Sequence, residues 1–290
     1  MSIGRQDACD ALSVSGDALE SAVRDTNSID PIISDRDGRL SLLREPDLLD
    51  AQEIFKGVHG RGRVEVLDVA PSTNTIMLAN AANEVPGDVL MAEIQTAGRG
   101  RRGNRWNSGI GRGLALSMAW RFPRADDISP LAVAAGAAVA RALDAVCPGI
   151  MVKWPNDLVL DGGKLAGILI ETEQCGGEAA AVIGIGVNVY EAPGQGAFIA
   201  REPRRGLRNQ ISCAVIDALR ECCRTYGKEG LAPFMDEISK RDFLKGRRIE
   251  VEDGSRRLSG TAEGIDQSGC LMLKAGDRTE ALRSGHVLSF

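Results

Sequence analysis

The stretch QTAGRGRRGNRW, residues 95–106, sets Arg99, Arg101, Arg102 and Arg105 among Gly98, Gly100 and Gly103 and ends on Trp106. Successive backbone N–H groups in a glycine-rich turn form an anion-binding concavity. Guanidinium groups add paired hydrogen bonds that match phosphate or carboxylate, and an indole offers a face to a purine. The spacing suits a loop that holds a nucleotide's phosphate and base, against the plainer alternative of a solvated basic loop. Such a loop is costly to order by itself, because its arginines repel one another and its glycines lose much entropy. It is therefore expected to order when an anion fills it.

A second stretch, KWPNDLVLDGGKLAGILIE, covers residues 153–171. Pro155 forces extended geometry on Trp154, so a strand ends there in a turn. Asn156 and Asp157 are turn formers that bond nearby backbone, or else they point into a site. Lys164 heads the next strand. Facing solvent it is an ordinary surface lysine; facing a cleft it is a point charge able to stabilise developing negative charge. Gly167, inside that strand, marks close approach by a ligand or another segment. Val182, Gly184, Gly186 and Asn188 alternate and so share one strand face. That bare face suits the floor of a small-molecule site, or equally a helix packed tightly on the sheet. Ser72, Thr73 and Asn74 follow a strand and precede the helical stretch 75–82. They read as an N-cap whose hydroxyls and amide can instead meet a ligand.

The elements that must position these residues fall into three regions, 1–48, 49–243 and 244–290. In the first, Ala8, Ala11 and Leu12, then Leu19, Ala22 and Val23, have helical spacing, with Ser13 or Ser15 as the cap of the second helix. Ile32 and Ile33, a turn at Asp37-Gly38 and residues 40–43 form a short hairpin. The whole resembles a trimmed winged helix-turn-helix, with Met1 too close to the first helix for another to precede it. In the second region 64–69 and 89–94 are strands, and 114–120 alternates bulky with small side chains. Residues 129–146 form a helix with Pro130 in its first turn. Strands at 151–154 and 164–173 are joined through Asp161-Gly162-Gly163. The near-continuous apolar run 179–189 is a central strand, and helices follow at 209–226 and 231–241. In the third, strands at 248–252, 258–265, 270–274 and 279–282 suit a small β-barrel. The fold class is α+β: a central mixed sheet backed by helices, a small C-terminal β-barrel, and a short N-terminal helical, winged region.

Composition narrows the function. The chain has 290 residues, 43% hydrophobic and 26% charged, with a net charge of −5. No apolar run approaches the ~20 residues of a membrane span, and no signal peptide opens the chain, so the expectation is a cytoplasmic protein. Seven scattered cysteines without a C-x-x-C pair suit a reducing compartment and no metal site. The two histidines, His59 and His286, lie outside any nucleophile-like context, which argues against a histidine-dependent triad.

QTAGRGRRGNRW, KWPNDL, the KLAGILIE strand, GIGVN and the STN turn occur in this order in biotin protein ligases, and over residues 49–290 the chain resembles that family. Lipoate ligases share the fold type but carry different signature motifs. The resemblance implies condensation of biotin with ATP and Mg²⁺ to biotinyl-5′-AMP and pyrophosphate. Biotin then passes to a lysine of a biotin carboxyl carrier protein domain of a biotin-dependent carboxylase. No covalent enzyme intermediate is implied, in keeping with the lack of a candidate nucleophile. By motif, Ser72, Thr73, Asn74, Gln95 and Gly98 hold biotin. Arg99, Gly100 and Arg101 close over its carboxylate and the adenylate phosphate. Lys164 and Arg101 are the catalytic residues. Trp106 stacks on adenine, Asn188 faces the nucleotide, Gly167 floors the biotin cleft, and Asn156 and Asp157 build that floor and border the adenylate. A homodimer through a free sheet edge is compatible with this reading.

The chain departs from the family pattern at several positions. Pro71 stands where an aspartate is usual before the STN turn. Asn104 stands in place of an arginine, leaving Arg105 or Arg112 to replace a triphosphate contact. His286 replaces an acidic residue near the C-terminus. Some family members carry an N-terminal winged helix-turn-helix and repress biotin synthesis genes. Between Asp7 and Asp30 this chain has Asp7, Asp10, Asp17, Glu20, Asp25 and Asp30 against the single base Arg24. Phosphate backbones need the opposite sign, so the expectation is a ligase without DNA binding, and the alternative a bifunctional ligase and repressor.

Overall fold

The computed structural model describes residues 2–123 and 128–290. Near the N-terminus, β1 (Ser2–Gly4) leads into α1 (Arg5–Leu12) and α2 (Gly16–Ile29). Ser15 is the cap of α2: its Oγ accepts from the Ala18 N–H at 3.2 Å, while Ser13 ends α1 with a φ of 54°. The hairpin of β2 (Ile33–Arg36) and β3 (Arg39–Leu42) turns through Asp37 and Gly38, both at positive φ, the backbone that a two-residue turn between twisted strands requires. Strand β1 pairs with β3 and completes a three-stranded sheet. Its three residues are too few to show a period in the sequence. Ala8, Cys9, Leu19 and Leu40 form a small core of their own.

Asp50 caps α3 (Ala51–Gly57), and a seven-stranded sheet follows. Its strands are β4 (Val64–Ala70), β5 (Val89–Gln95), β6 (Gly113–Phe122), β7 (Met151–Lys153), β8 (Asp157–Leu160), β9 (Gly163–Cys175) and β10 (Glu178–Asn188). The spatial order is β4-β5-β6-β10-β9-β8-β7, with β4 and β5 parallel and the other pairs antiparallel. The apolar strand 178–188 is central, as its composition requires. Between β4 and β5 lies α4 (Thr73–Ala79), and α5 (Leu131–Leu143), α6 (Leu207–Glu229) and α7 (Met235–Arg241) complete the unit. Leu114, Leu116 and Met118 of β6, with Ile183, Ile185 and Val187 of β10, join α5 and α6 in the main core. On the other face Ala119 and Val182 pack with Met77 of α4. One face of the sheet is thus sealed by long helices, and the other is covered by a single short one beside an open stretch.

Four expectations are corrected. Strands 151–154 and 164–173 are not joined directly. β8 lies between them, and Asp161-Gly162 turns β8 into β9 with both residues at positive φ. Helix 129–146 is shorter, with Pro130 as its N-cap. Helix 75–82 begins earlier, at Thr73. The helical stretch 231–241 divides into a 3₁₀ turn at Ala232–Phe234, which holds Pro233, and α7. At the C-terminus β11 (Arg248–Asp253), β12 (Arg256–Ile265), β13 (Leu271–Ala275), β14 (Arg278–Leu282) and β15 (His286–Ser289) form an antiparallel sheet in the order β14-β13-β12-β11-β15. β15, with three of its four residues exposed, lacked an apolar signal. Trp154, 2% exposed, fixes this sheet to the central unit by donating from Nε1 to the Gly269 carbonyl at 3.1 Å.

Candidate active site

The open stretch of the sheet begins where β4 ends. Ser72 Oγ accepts from the Thr75 N–H at 3.4 Å and caps α4. The next two residues turn inward and are buried. The Thr73 N–H donates to Gln95 Oε1 at 2.8 Å. Ser117, fully buried on the small-residue face of β6, lies 2.7 Å from Thr73 Oγ1 and donates to Asn74 Oδ1 at 2.5 Å. Asn74 Nδ2 donates to the Leu169 carbonyl at 3.2 Å and to Glu171 Oε2 at 3.0 Å. Buried polar groups need such partners, and here the partners come from three strands, β5, β6 and β9. The result is a rigid polar end wall at the first turn of α4.

The bare strand face has a specific use. A Cβ at Gly184 would lie 2.3 Å from Asn74 Oδ1, and one at Gly186 would lie 2.2 Å from the Trp106 ring. One at Gly167, across from Gly186 in the β9–β10 pairing, would lie 3.3 Å from Lys164 Nζ. The missing side chains therefore make room for three of the chain's own side chains, Asn74, Trp106 and Lys164, rather than leaving an open floor.

The loop 95–106 is a short hairpin. The Gly100 N–H donates to the Asn104 carbonyl at 2.7 Å, the Trp106 N–H donates to the Gly98 carbonyl at 3.0 Å, and Arg99 bridges to Arg105. The Pro71 carbonyl accepts from the Ala97 N–H at 2.8 Å, tying the loop's base to the STN turn. Its arginines are distributed outward: Arg99 to Glu171 at 2.8 Å, Arg101 to Asn156 Oδ1 at 3.0 Å, and Arg102 to Glu252 of β11 at 2.6 Å. Protein carboxylates and an amide thus share with any anion the work of ordering this loop.

Beyond the loop lies a cationic cluster. Lys164 Nζ sits 2.7 Å from Asp157 Oδ1. Burial lowers the pKa of Arg101, opposed by the charge of Asp157, and burial also lowers that of Lys153, whose ammonium stands 4.0 Å above the Phe290 ring. Asn156 Nδ2 donates to the Ile168 carbonyl at 2.8 Å, holding the turn that carries Asp157. A polar wall at one end and three cations at the other suit a ligand with a neutral polar head and an anionic tail.

Of the residues given a site role by motif, all but Gly98 and Asn188 border this one cleft. Gly98 is a packing position, since a Cβ there would lie 2.1 Å from the Trp106 carbonyl. Asn188 stands outside the cleft, its amide donating to the Lys164 and Ala197 carbonyls at 3.1 Å each, so it braces Lys164 from behind. Arg105 borders the cleft, whereas Arg112 pairs with Glu191. Sequence reasoning missed Lys153, Ser117 and Glu171. Ser117 had a signal, being a polar residue set between Ala115 and Ala119 on the small face of β6. His286 of β15 also borders the cleft, so the C-terminal sheet supplies part of its rim.

The profile of the Biotin/lipoate A/B protein ligase family matches residues 66–188, and that of the Biotin protein ligase C terminal domain matches residues 245–288. The chain is 37% identical over 243 residues to the bifunctional ligase/repressor BirA of Escherichia coli (strain K12), covering 80% of this chain and 75% of the relative. It is 33% identical over 276 residues to the biotin–[acetyl-CoA-carboxylase] ligase of Mycobacterium tuberculosis, covering 88% and 99%. The biotin protein ligase from Aquifex aeolicus in complex with biotin and ATP has the same fold, with a TM-score of 0.64 at 22% identity over 77% of this chain and 96% of that one. With its motifs in family order around a single cleft and its relatives covering most of its length, this chain belongs to the biotin protein ligase family.

Proposed function

We propose that the chain activates biotin with ATP and transfers it to a lysine of a biotin carboxyl carrier protein domain. The observation that carries this reading is the polarity of the cleft, with Thr73, Asn74 and Gln95 at one end and Arg101, Lys153 and Lys164 at the other. A ureido head fits the first end and a carboxylate beside a phosphate fits the second. Biotin carboxylate and ATP repel each other, so bringing them to reacting distance needs cations where they meet. A carboxylate oxygen attacks the α-phosphorus and pyrophosphate leaves. The charge spreading over the α-phosphate gains more from Lys164 and Arg101 than the ground state does, which lowers the barrier. In the second step the carrier lysine's amine attacks the acyl carbon, AMP leaves, and the amine's proton passes to solvent. A loop folded over the mixed anhydride keeps water from it.

Among the described residues no group of three or more His, Cys, Asp or Glu side chains is placed to hold a metal ion, and Asp157 in the cleft is already paired with Lys164. Mg²⁺ would enter this site with the nucleotide rather than on a protein cage, and would supply neutralisation of phosphate charge beside Lys164 and Arg101. Seven free cysteines support a cytoplasmic setting, and β4, at one edge of the sheet, would offer a second copy a strand to pair with. No helix among the described residues is long and apolar enough to cross a membrane.

The test is incubation with MgATP, labelled biotin or labelled lipoate, and a carrier domain. Label should pass from biotin alone. Lys164→Ala should abolish biotinyl-adenylate formation while the circular dichroism spectrum stays unchanged. Transfer from lipoate, or full adenylate formation by the alanine variant, refutes the assignment.

A further inference from the structure

Glu171 closes the KLAGILIE motif within β9 and has no part in the chemistry above. Its Oε2 accepts two hydrogen bonds from different parts of the site: Asn74 Nδ2 at 3.0 Å and Arg99 Nη2 at 2.8 Å. Asn74 is 4% exposed and belongs to the first turn of α4. Arg99 belongs to the glycine-rich loop, with its side chain 44% exposed. One carboxylate oxygen therefore joins the wall that meets the ligand's head to the loop that folds over its anionic end.

We propose that Glu171 is a positioning residue of the ligase, coupling the seating of the biotin head at Asn74 to the closure of the loop through Arg99. This rests on the ligase reading. The alternative, an ordinary surface glutamate on a strand, does not account for both donors converging on one atom. Glu171 lies beyond Leu169 on the strand face that also carries Gly167, in line with the floor of the cleft. Its charge matters to each donor differently. Toward Asn74 any carbonyl-type oxygen suffices; toward Arg99 the carboxylate makes a charge-assisted bond of about twice the strength. Occupation of the head site holds Asn74 in place, Asn74 holds the carboxylate, and the carboxylate holds the loop. By reciprocity, a closed loop tightens the head site by the same factor.

The experiment uses the full chain with MgATP and biotin, and reads biotin KM, kcat for adenylate formation, and the rate at which preformed biotinyl-adenylate escapes. Glu171→Gln keeps an oxygen for Asn74 and removes the charge from Arg99. It should raise biotin KM and adenylate escape about tenfold, the size of one charged hydrogen bond, while kcat falls by less than about threefold. Arg99→Ala should raise biotin KM and adenylate escape at least as much, since it also takes a guanidinium from the cleft, and the double variant should be no worse than Arg99→Ala alone, because both changes break one link. Glu171→Asp keeps the charge and should recover part of the retention. This arm also carries the test should the glutamine variant fail to fold. Wild-type retention by Glu171→Gln, effects that multiply in the double variant, or equal losses in the Gln and Asp variants each overturn the coupling. A wild-type chain that forms no biotinyl-adenylate overturns the ligase reading itself, and the coupling with it.

Discussion

Gly184, Gly186 and Gly167 each stand beneath a side chain that the proposed chemistry uses, and the three differ in what an added methyl would meet. At Gly167 the neighbour is the flexible end of Lys164, which can yield by a few tenths of an ångström. At Gly186 the neighbour is a rigid indole. Gly186→Ala is therefore expected to push Trp106 off the strand and raise the KM for ATP about tenfold or more, with biotin KM changed less and the Trp106 fluorescence altered. An unchanged ATP KM would refute Trp106 as the adenine platform. The alternation of Val182, Gly184, Gly186 and Asn188 was legible as a bare face in the sequence. What filled the bare face was not, because Trp106 reaches Gly186 through tertiary structure alone. The same holds for Asn188. The amide type was readable, but its two carbonyl partners arise from the path of the chain at 164 and 197.

Elements were legible in proportion to their length and patterning. β6 and β10 run ten and eleven residues with a period of two, and both were evident. β1, β8 and β15 run three or four residues, two periods at most, and escaped. No pattern in α6 foretold that Arg208 would be buried, at 1% exposure, beneath the sheet. Its guanidinium meets Glu93 of β5 at 2.8 Å and also donates to the Gly113 and Asp47 carbonyls. It thereby links the helix to the strand that ends in Gln95 and to the start of β6. Removing one partner of a buried pair leaves the other charge unpaired, at a cost of ~3–5 kcal/mol. Arg208→Met should lose about that much stability in urea unfolding. Adding Glu93→Gln should return part of it, since the amide oxygen still accepts from the Leu49 N–H. A loss below about 1 kcal/mol would mean that the pair does not fasten α6 to the sheet.

At the scale of the whole molecule, the N-terminal unit and the C-terminal sheet both reach the loop or the segment leaving it. The expected boundaries at 48/49 and 243/244 fall between β3 and α3 and between α7 and β11. The N-terminal unit grips the segment leaving the loop from both sides: the Ile110 N–H donates to Asp30 at 2.7 Å, and Arg44 donates to the Ile110 carbonyl at 2.8 Å. Its second helix carries Asp17, Glu20 and Asp25 against Arg24. A phosphate backbone would meet net negative charge there. Accordingly, a shift assay with fragments upstream of biotin synthesis genes, run with biotin and ATP, should show no nanomolar complex; such a complex would restore a repressor function.

The C-terminal sheet touches the loop from the other side, through Arg102 and Glu252. Both side chains are about two-fifths exposed, so the pair is worth at most ~1 kcal/mol. It is therefore a bias on loop closure rather than a lock. Arg102→Glu should place two carboxylates together and speed adenylate escape about three- to tenfold, and Glu252→Arg should do likewise. The exchanged pair, Arg102→Glu with Glu252→Arg, should return escape to within about twofold of wild type. High salt should shrink every one of these differences, because exposed charges are screened. An exchanged pair as leaky as either single variant would show that the C-terminal sheet shapes the rim of the cleft without holding its loop.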